Sequence, residues 1–129
     1  MKKIVTLMLL ALLVCGATAK TKKDGTAVMR VPQTVWDFGN IKEKSGSASH
    51  EFEFYNDGTG NLVILDAKAE CGCTRPEYPD KPIAPGKKGK IKVNYNPVGR
   101  LGSFEKTVTV RTNGNPKKVY LKIRGKVIP

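Results

Sequence analysis

Cys71-Gly72-Cys73-Thr74 is the densest chemistry in this 129-residue chain. Two thiols one residue apart can close a small local disulfide, serve as a redox pair, or offer two soft ligands to a metal. In an extended backbone their Cα atoms would stand ~7 Å apart, at the upper limit for bridging; Gly72 is expected to bend the chain and bring them together. A bond closing so short a loop is a weak global staple. The chain-entropy relation gives about 1.6 kcal/mol for three residues, against about 3 for fifteen. Such a bond would fix its loop locally or act as an easily reduced pair. As thiolates the two sulfurs would suit Cu(I), whereas a structural zinc wants four ligands. The single histidine, His50, alternates onto the same face as Phe52 and Phe54, where packing is its ordinary role. Glu70, Glu77 and Asp80 are hard oxygen donors poorly matched to thiolates. No metal site and no other cofactor is therefore expected. Lys68 and Arg75 nearby favour a thiolate, and Glu70 opposes one.

Other candidate chemistry is sparse. There is no G-x-S-x-G elbow, no H-E-x-x-H pair and no phosphate-cradling glycine loop, so no catalytic residues are assigned and the chain is not read as an enzyme. Glu51 and Glu53 lie about 7 Å apart along one strand, near the carboxylate spacing of inverting glycosidases, but an open strand face supplies no cleft. A stronger surface signal is the alternation of Lys118, Tyr120, Lys122, Arg124 and Lys126 onto the face opposite Val119, Leu121 and Ile123. Lys90 and Lys92 repeat it on another strand. A cationic face around one Tyr suits an anionic polymer or an acidic partner protein, and lysines also protect strand edges from wrong pairing.

The elements that must position these groups read as strands. Thr26 to Val31 is an edge strand broken by Pro32 and continued by Gln33 to Phe38. Ser47 to Asn56 alternates, with Ala48, His50, Phe52 and Phe54 on one side. Asn56-Asp57-Gly58-Thr59-Gly60 is turn chemistry. Asn61 to Ala69 follows, and its run Leu62-Val63-Ile64-Leu65 predicts a central strand apolar on both faces. Glu70 to Pro85 reads as a long irregular loop, because four prolines obstruct pairing. Lys90 to Asn96, Ser103 to Thr112 and Lys117 to Ile128 complete the set, the last two joined by the turn Asn113-Gly114-Asn115-Pro116. Turn signals between short strands predict an all-β, antiparallel two-sheet sandwich of about seven strands, immunoglobulin-like in size. Cys71 and Cys73 are too close in sequence to pin the two sheets together across ~10 Å.

The opening of the chain reads as a cleavable signal peptide. Lys2 and Lys3 precede the apolar run Ile4 to Val14, and Ala17-Thr18-Ala19 supplies the cleavage site. That run is too short for a bilayer span of about 20 residues, so no transmembrane segment is expected in the mature chain. Val14 before Cys15 departs from the usual lipoprotein pattern; lipid anchoring through Cys15 is the minor alternative. The expected organisation is a signal peptide at 1–19, a flexible lead-in at 20–27 and one domain at 28–129. Cleavage takes the net charge from +12 to +10 by removing Lys2 and Lys3. For a periplasmic or secreted protein that charge addresses anionic envelope polymers or another envelope protein, and no nucleic acid.

The order of several motifs is specific: Trp36-Asp37-Phe38-Gly39; Phe52-Glu53-Phe54-Tyr55-Asn56-Asp57-Gly58; Leu62-Val63-Ile64; Cys71-Gly72-Cys73-Thr74; Ile83-Ala84-Pro85-Gly86; Tyr95-Asn96-Pro97; Gly102-Ser103-Phe104; and Leu121-Lys122-Ile123-Arg124-Gly125. In these the chain resembles the exported domain-of-unknown-function family one-five-seven-three and, more distantly, the sperm-protein and Hydin-like immunoglobulin-type sandwiches. The resemblance implies the sandwich fold and a cell-envelope address. It brings no reaction and no settled role for the Cys-Gly-Cys-Thr element. The functional expectation is a non-enzymatic exported binding or structural module, with thiol redox or Cu(I) handling by Cys71 and Cys73 as the alternative.

Overall fold

The computed structural model describes residues 25–129. The expected signal peptide, its cleavage site and Cys15 lie outside those residues. Among the described residues there are eight strands: β1 Met29–Arg30, β2 Val35–Lys42, β3 Ala48–Asn56, β4 Ile64–Ala69, β5 Thr74–Glu77, β6 Lys88–Tyr95, β7 Gly102–Thr112 and β8 Lys118–Ile128. They form two four-stranded sheets, ordered β1-β3-β6-β5 and β2-β8-β7-β4. Among the described residues no helix is long and apolar enough to cross a membrane.

The core follows from period-two alternation. Phe52 stands opposite Ile91, and His50 opposite Val93, across the β3–β6 ladder. Phe52, Phe54, Ile91, Val93 and Tyr95 are buried from one sheet; Val108, Val110, Leu121, Ile123 and Val127 are buried from the other. Removing both apolar faces from water supplies the driving force for stacking the sheets. Tyr95 and Phe104 stack across the interior with centroids 3.9 Å apart.

Four expectations need correction. Pro32 does not interrupt one continuous strand: β1 pairs with β3 in the first sheet, whereas β2 pairs with β8 in the second, and in parallel. Proline ends the first ladder, and the chain crosses to the other layer. The apolar run at 62–65 is not central, because β4 is the edge of its sheet and Leu65 is 52% exposed. Its apolar content serves Leu62 and Ile64, which are buried. The proline-rich segment is not wholly irregular, since β5 pairs with β6 through Thr74↔Tyr95 to Glu77↔Lys92. The Asn96 N–H donates to the Cys73 carbonyl; two-residue alternation then leaves Pro76 where its missing N–H faces away from the ladder, which an edge strand tolerates. Finally, ordered packing begins by Gly25, within the segment expected to be a flexible lead-in. Ala27 is buried, its carbonyl accepts from Asn115 N–H, and the Thr26 carbonyl accepts from Thr59 N–H.

The chain thus changes sheets at both lateral edges, from β1 to β2 and from β4 to β5. The second crossing carries the cysteines.

Candidate functional site

Cys71 and Cys73 are joined in a disulfide, with their Cα atoms 5.3 Å apart. A turn makes this possible: Thr74 N–H donates to the Cys71 carbonyl at 3.3 Å, and Cys73 N–H donates to Cys71 Sγ at 3.2 Å. The chain bends at Gly72 without an unusual backbone angle. Its φ lies outside the left-handed region, and a Cβ there would meet nothing within 4 Å. The turn is one that any residue can adopt.

The two cysteines are unlike. Cys73 is 5% exposed and belongs to the buried core, and its Sγ lies 3.5 Å from the hydroxyl of Thr74, itself buried. Cys71 is half buried at the margin of that core. A polar groove of about 400 Å³ borders the turn, bounded by Ser47, Gly72, Cys73, Arg75, Lys92 and Asn96 among others. Asn94 anchors its wall by donating to the Arg75 carbonyl and the Glu77 carboxylate, both at 3.2 Å. The Gly99 N–H donates to Glu43 Oε1 at 3.0 Å, so the connections β2–β3, β4–β5 and β6–β7 meet at one end of the sandwich. Val98 and Leu101 on the last of these are 62% and 59% exposed.

Glu70, expected to oppose a thiolate, is committed elsewhere. Its Oε1 accepts from Thr107 N–H at 3.0 Å, and its own N–H donates to the Thr107 carbonyl. Arg75 is exposed on the groove side. His50 is packed by its neighbours: its ring stacks on Trp36 and meets the Phe52 edge at 4.7 Å. Burial lowers its pKa from the ordinary value, partly offset by Glu51.

Lys118, Tyr120, Lys122, Arg124 and Lys126 are all exposed, on one face of β8, as the alternation requires. They do not form an unbroken cationic stripe. Lys122 pairs with Glu105 at 3.3 Å and Arg124 with Asp37 at 3.3 Å, both across neighbouring strands. A shallow depression lies beside them, formed where β2 bulges between Asp37 and Asn40 and lined also by Ser103 and Glu105. Lys118 and Lys126 make no ion pair among the described residues. Glu51 and Glu53 stand opposite Lys92 and Lys90, and Lys90 pairs with Glu51 at 3.3 Å, so these carboxylates sit in a charged strand face.

Sequence reasoning did not find Ser47, Asn94 and Asn96 beside the disulfide. The β5–β6 register brings Asn94 and Asn96 to the cysteine turn, and the β3–β6 register brings Ser47 alongside them.

The profile of a protein family described as "Protein of unknown function (DUF1573)" matches residues 29–127. No curated protein matches the chain. Among solved structures, the chain is similar to a protein of unknown function from Porphyromonas gingivalis W83, with 17% identity and a TM-score of 0.69 over 78% of this chain and 47% of that one. It is also similar to PapD-like domain 7 of human CEP192, an ASH/PapD-like domain, at 13% identity and a TM-score of 0.61, covering 98% and 94%. A segment of the secreted serine protease VesC from Vibrio cholerae superposes at 13% identity and a TM-score of 0.55, covering 79% of this chain and 23% of the protease. The chain therefore spans about half the length of the first structure and about a quarter of the protease. At these identities the likeness shows the immunoglobulin-like, PapD-like sandwich fold alone.

Proposed function

The chain belongs to the DUF1573 family of proteins of unknown function, and from that premise we propose that it is a non-enzymatic binding module of the cell envelope, exported by its leader, that contacts an anionic envelope component. The observation that carries this reading is the unequal use of charge. Asp37, Glu51, Asp57, Asp66 and Glu105 are tied up in ion pairs. Glu43, Glu70 and Glu77 accept hydrogen bonds from the fold. Among the described residues eight acidic side chains are thus engaged within the fold, against five cationic ones, and once residues 1–19 are removed the lysines and arginines outnumber the acids 21 to 11. The surplus that faces outward is positive, and Lys118 and Lys126 are part of it. Such a surface attracts anionic head groups or polymers by roughly 1 kcal/mol per lysine close to the charged layer, weakening as salt rises.

Co-sedimentation of the processed protein with phosphatidylglycerol vesicles, phosphatidylcholine vesicles and lipopolysaccharide tests this. Binding to an anionic probe that falls steeply between 20 and 300 mM salt, and that drops about tenfold in a Lys118→Glu/Lys126→Glu variant, is the expected result. No binding to any anionic probe at low salt would remove the proposal. The address is tested separately by fractionating cells that make the full chain and weighing the mature protein. Loss of residues 1–19 is expected, whereas a lipid on Cys15 would replace the soluble periplasmic or secreted address with an anchored one.

A further inference from the structure

We infer that the Cys71–Cys73 bond is a directional thiol–disulfide exchange site, opened by an external thiolate at Cys71 Sγ with Cys73 Sγ as the leaving group. The direction comes from the unequal burial of the two cysteine residues. Thiol–disulfide exchange requires the incoming sulfur to reach one sulfur of the bond. Cys73 is 5% exposed, whereas Cys71 is half buried. Each sulfur has a hydrogen-bond donor beside it, the Cys73 N–H 3.2 Å from Cys71 Sγ and the Thr74 hydroxyl near Cys73 Sγ, so access and not leaving-group stabilisation sets the direction. The Thr74 hydroxyl lies 3.5 Å from Cys73 Sγ and can turn its proton toward that sulfur as charge develops there. A leaving thiolate that gains a hydrogen bond has a lower pKa and departs faster.

The chemistry balances with a dithiol as the co-reactant. A deprotonated sulfur of the dithiol attacks Cys71 Sγ; the Cys71–Cys73 bond breaks, and its electron pair leaves on Cys73. The second sulfur of the dithiol, on losing its proton, attacks the first sulfur of the dithiol in the mixed disulfide and expels Cys71 as a thiolate. The dithiol is oxidised to a disulfide. Cys71 and Cys73 are reduced, gaining two electrons and, after protonation, the two protons the dithiol lost. The substrate class is therefore a dithiol whose attacking sulfur can enter the loop-bearing end of the sandwich.

The test uses the processed protein and glutathione as a monothiol probe, so that the first step is trapped as a mixed disulfide. Acid quenching, alkylation with iodoacetamide and fragmentation of the tryptic peptide that follows Lys68 and, because proline follows both Arg75 and Lys81, ends at Lys87 place each adduct. Glutathione on Cys71 and the alkyl group on Cys73, in at least tenfold excess over the reverse, is the expected result. Equal labelling, glutathione on Cys73, or a bond that glutathione opens only after the protein is unfolded would each overturn the inference. Thr74→Val, close in shape, tests the positioning role of the hydroxyl. It should slow opening about 3- to 10-fold and raise the pKa of the Cys73 thiol in the reduced protein, while thermal stability in the oxidised form changes little. An unchanged rate and an unchanged thiol titration would exclude that role.

Discussion

Trp36 and His50 stack face to face, with ring centroids 4.0 Å apart and planes 5° from parallel. Trp36 belongs to β2, at the edge of one sheet, and His50 to β3, inside the other. The pair closes the side of the sandwich where Pro32 sends the chain across. Its contribution should be visible in pH. Burial lowers the His50 pKa from 6.5, the larger effect, and Glu51 works the other way. The folded protein therefore prefers the neutral ring, and the unfolded chain takes up the proton first as pH falls. Stability is fully present above pH 6.5 and declines as pH drops from 6.5 through the lower folded value. Urea midpoints at pH 7.5 and 5.5 should show this loss in the wild type and a smaller one in His50→Phe. Identical pH slopes in the two proteins would refute the assignment. Trp36→Ala, at a half-buried site, should cost about 2 kcal/mol at either pH.

Asn56 is fully buried, and its side-chain amide is saturated. Nδ2 donates to the carbonyls of Gly60 and Ile83, while Oδ1 accepts from the N–H groups of Val28 and Gly58. One residue thereby fastens the 57–60 turn, the N-terminal segment and the β5–β6 connection. Asn56→Asp sets a carboxylate against two carbonyls and should cost about 3–5 kcal/mol at pH 7. That carboxyl would titrate above its unfolded value, so the folded variant binds the extra proton. Its deficit relative to wild type should narrow as pH falls toward 4. Chemical denaturation at both pH values measures this, and a deficit that is constant or widens in acid would show that the carboxyl is not held against the carbonyls.

How much of this was legible in sequence follows from how local each signal is. The alternation of Phe52 and Phe54, of Ile91, Val93 and Tyr95, and of Val119, Leu121 and Ile123 specifies which side chains enter the core without reference to partners. The parallel pairing of β2 with β8 and the edge position of β4 depend on which strands neighbour which, and an apolar run reads the same at an edge as at a centre. Pro76 argued against a strand because proline cannot donate to a ladder, yet β5 has an open side where no donor is needed. The Cys71–Cys73 pair was visible as chemistry. The burial difference between its two residues was not, because it is set by β5–β6 packing from residues far along the chain.

Two glycines separate local from tertiary demands. Gly89 stands opposite Phe54, whose ring atoms would lie as close as 2.5 Å to a Cβ added there. Phe54 is completely buried and has no room to retreat. Gly89→Ala should cost about 2–3 kcal/mol through overpacking. Gly72→Ala, in open space and at an ordinary φ, should fall within about 0.5 kcal/mol of wild type despite its place between the cysteines. Thermal melts of both variants decide the matter. A severe loss at Gly72 would mean that the disulfide turn needs glycine after all.

Removing the disulfide should weaken the domain without dismantling it. The bond closes three residues between two edge strands, and the loop-entropy relation assigns it about 1.6 kcal/mol. The sheets are held instead by the side chains of Phe52, Phe54, Tyr95, Leu121 and Ile123, all buried independently of the sulfurs. A Cys71→Ala/Cys73→Ala variant should keep its β-sheet circular dichroism and lose about 6–13 °C of Tm, the shift that 1.6 kcal/mol makes in a domain of about 100 residues. The same shift should follow gentle reduction of the wild type. Loss of cooperative unfolding in either protein would show that the crossing from β4 to β5 holds the layers together, and the bond would then be a global staple.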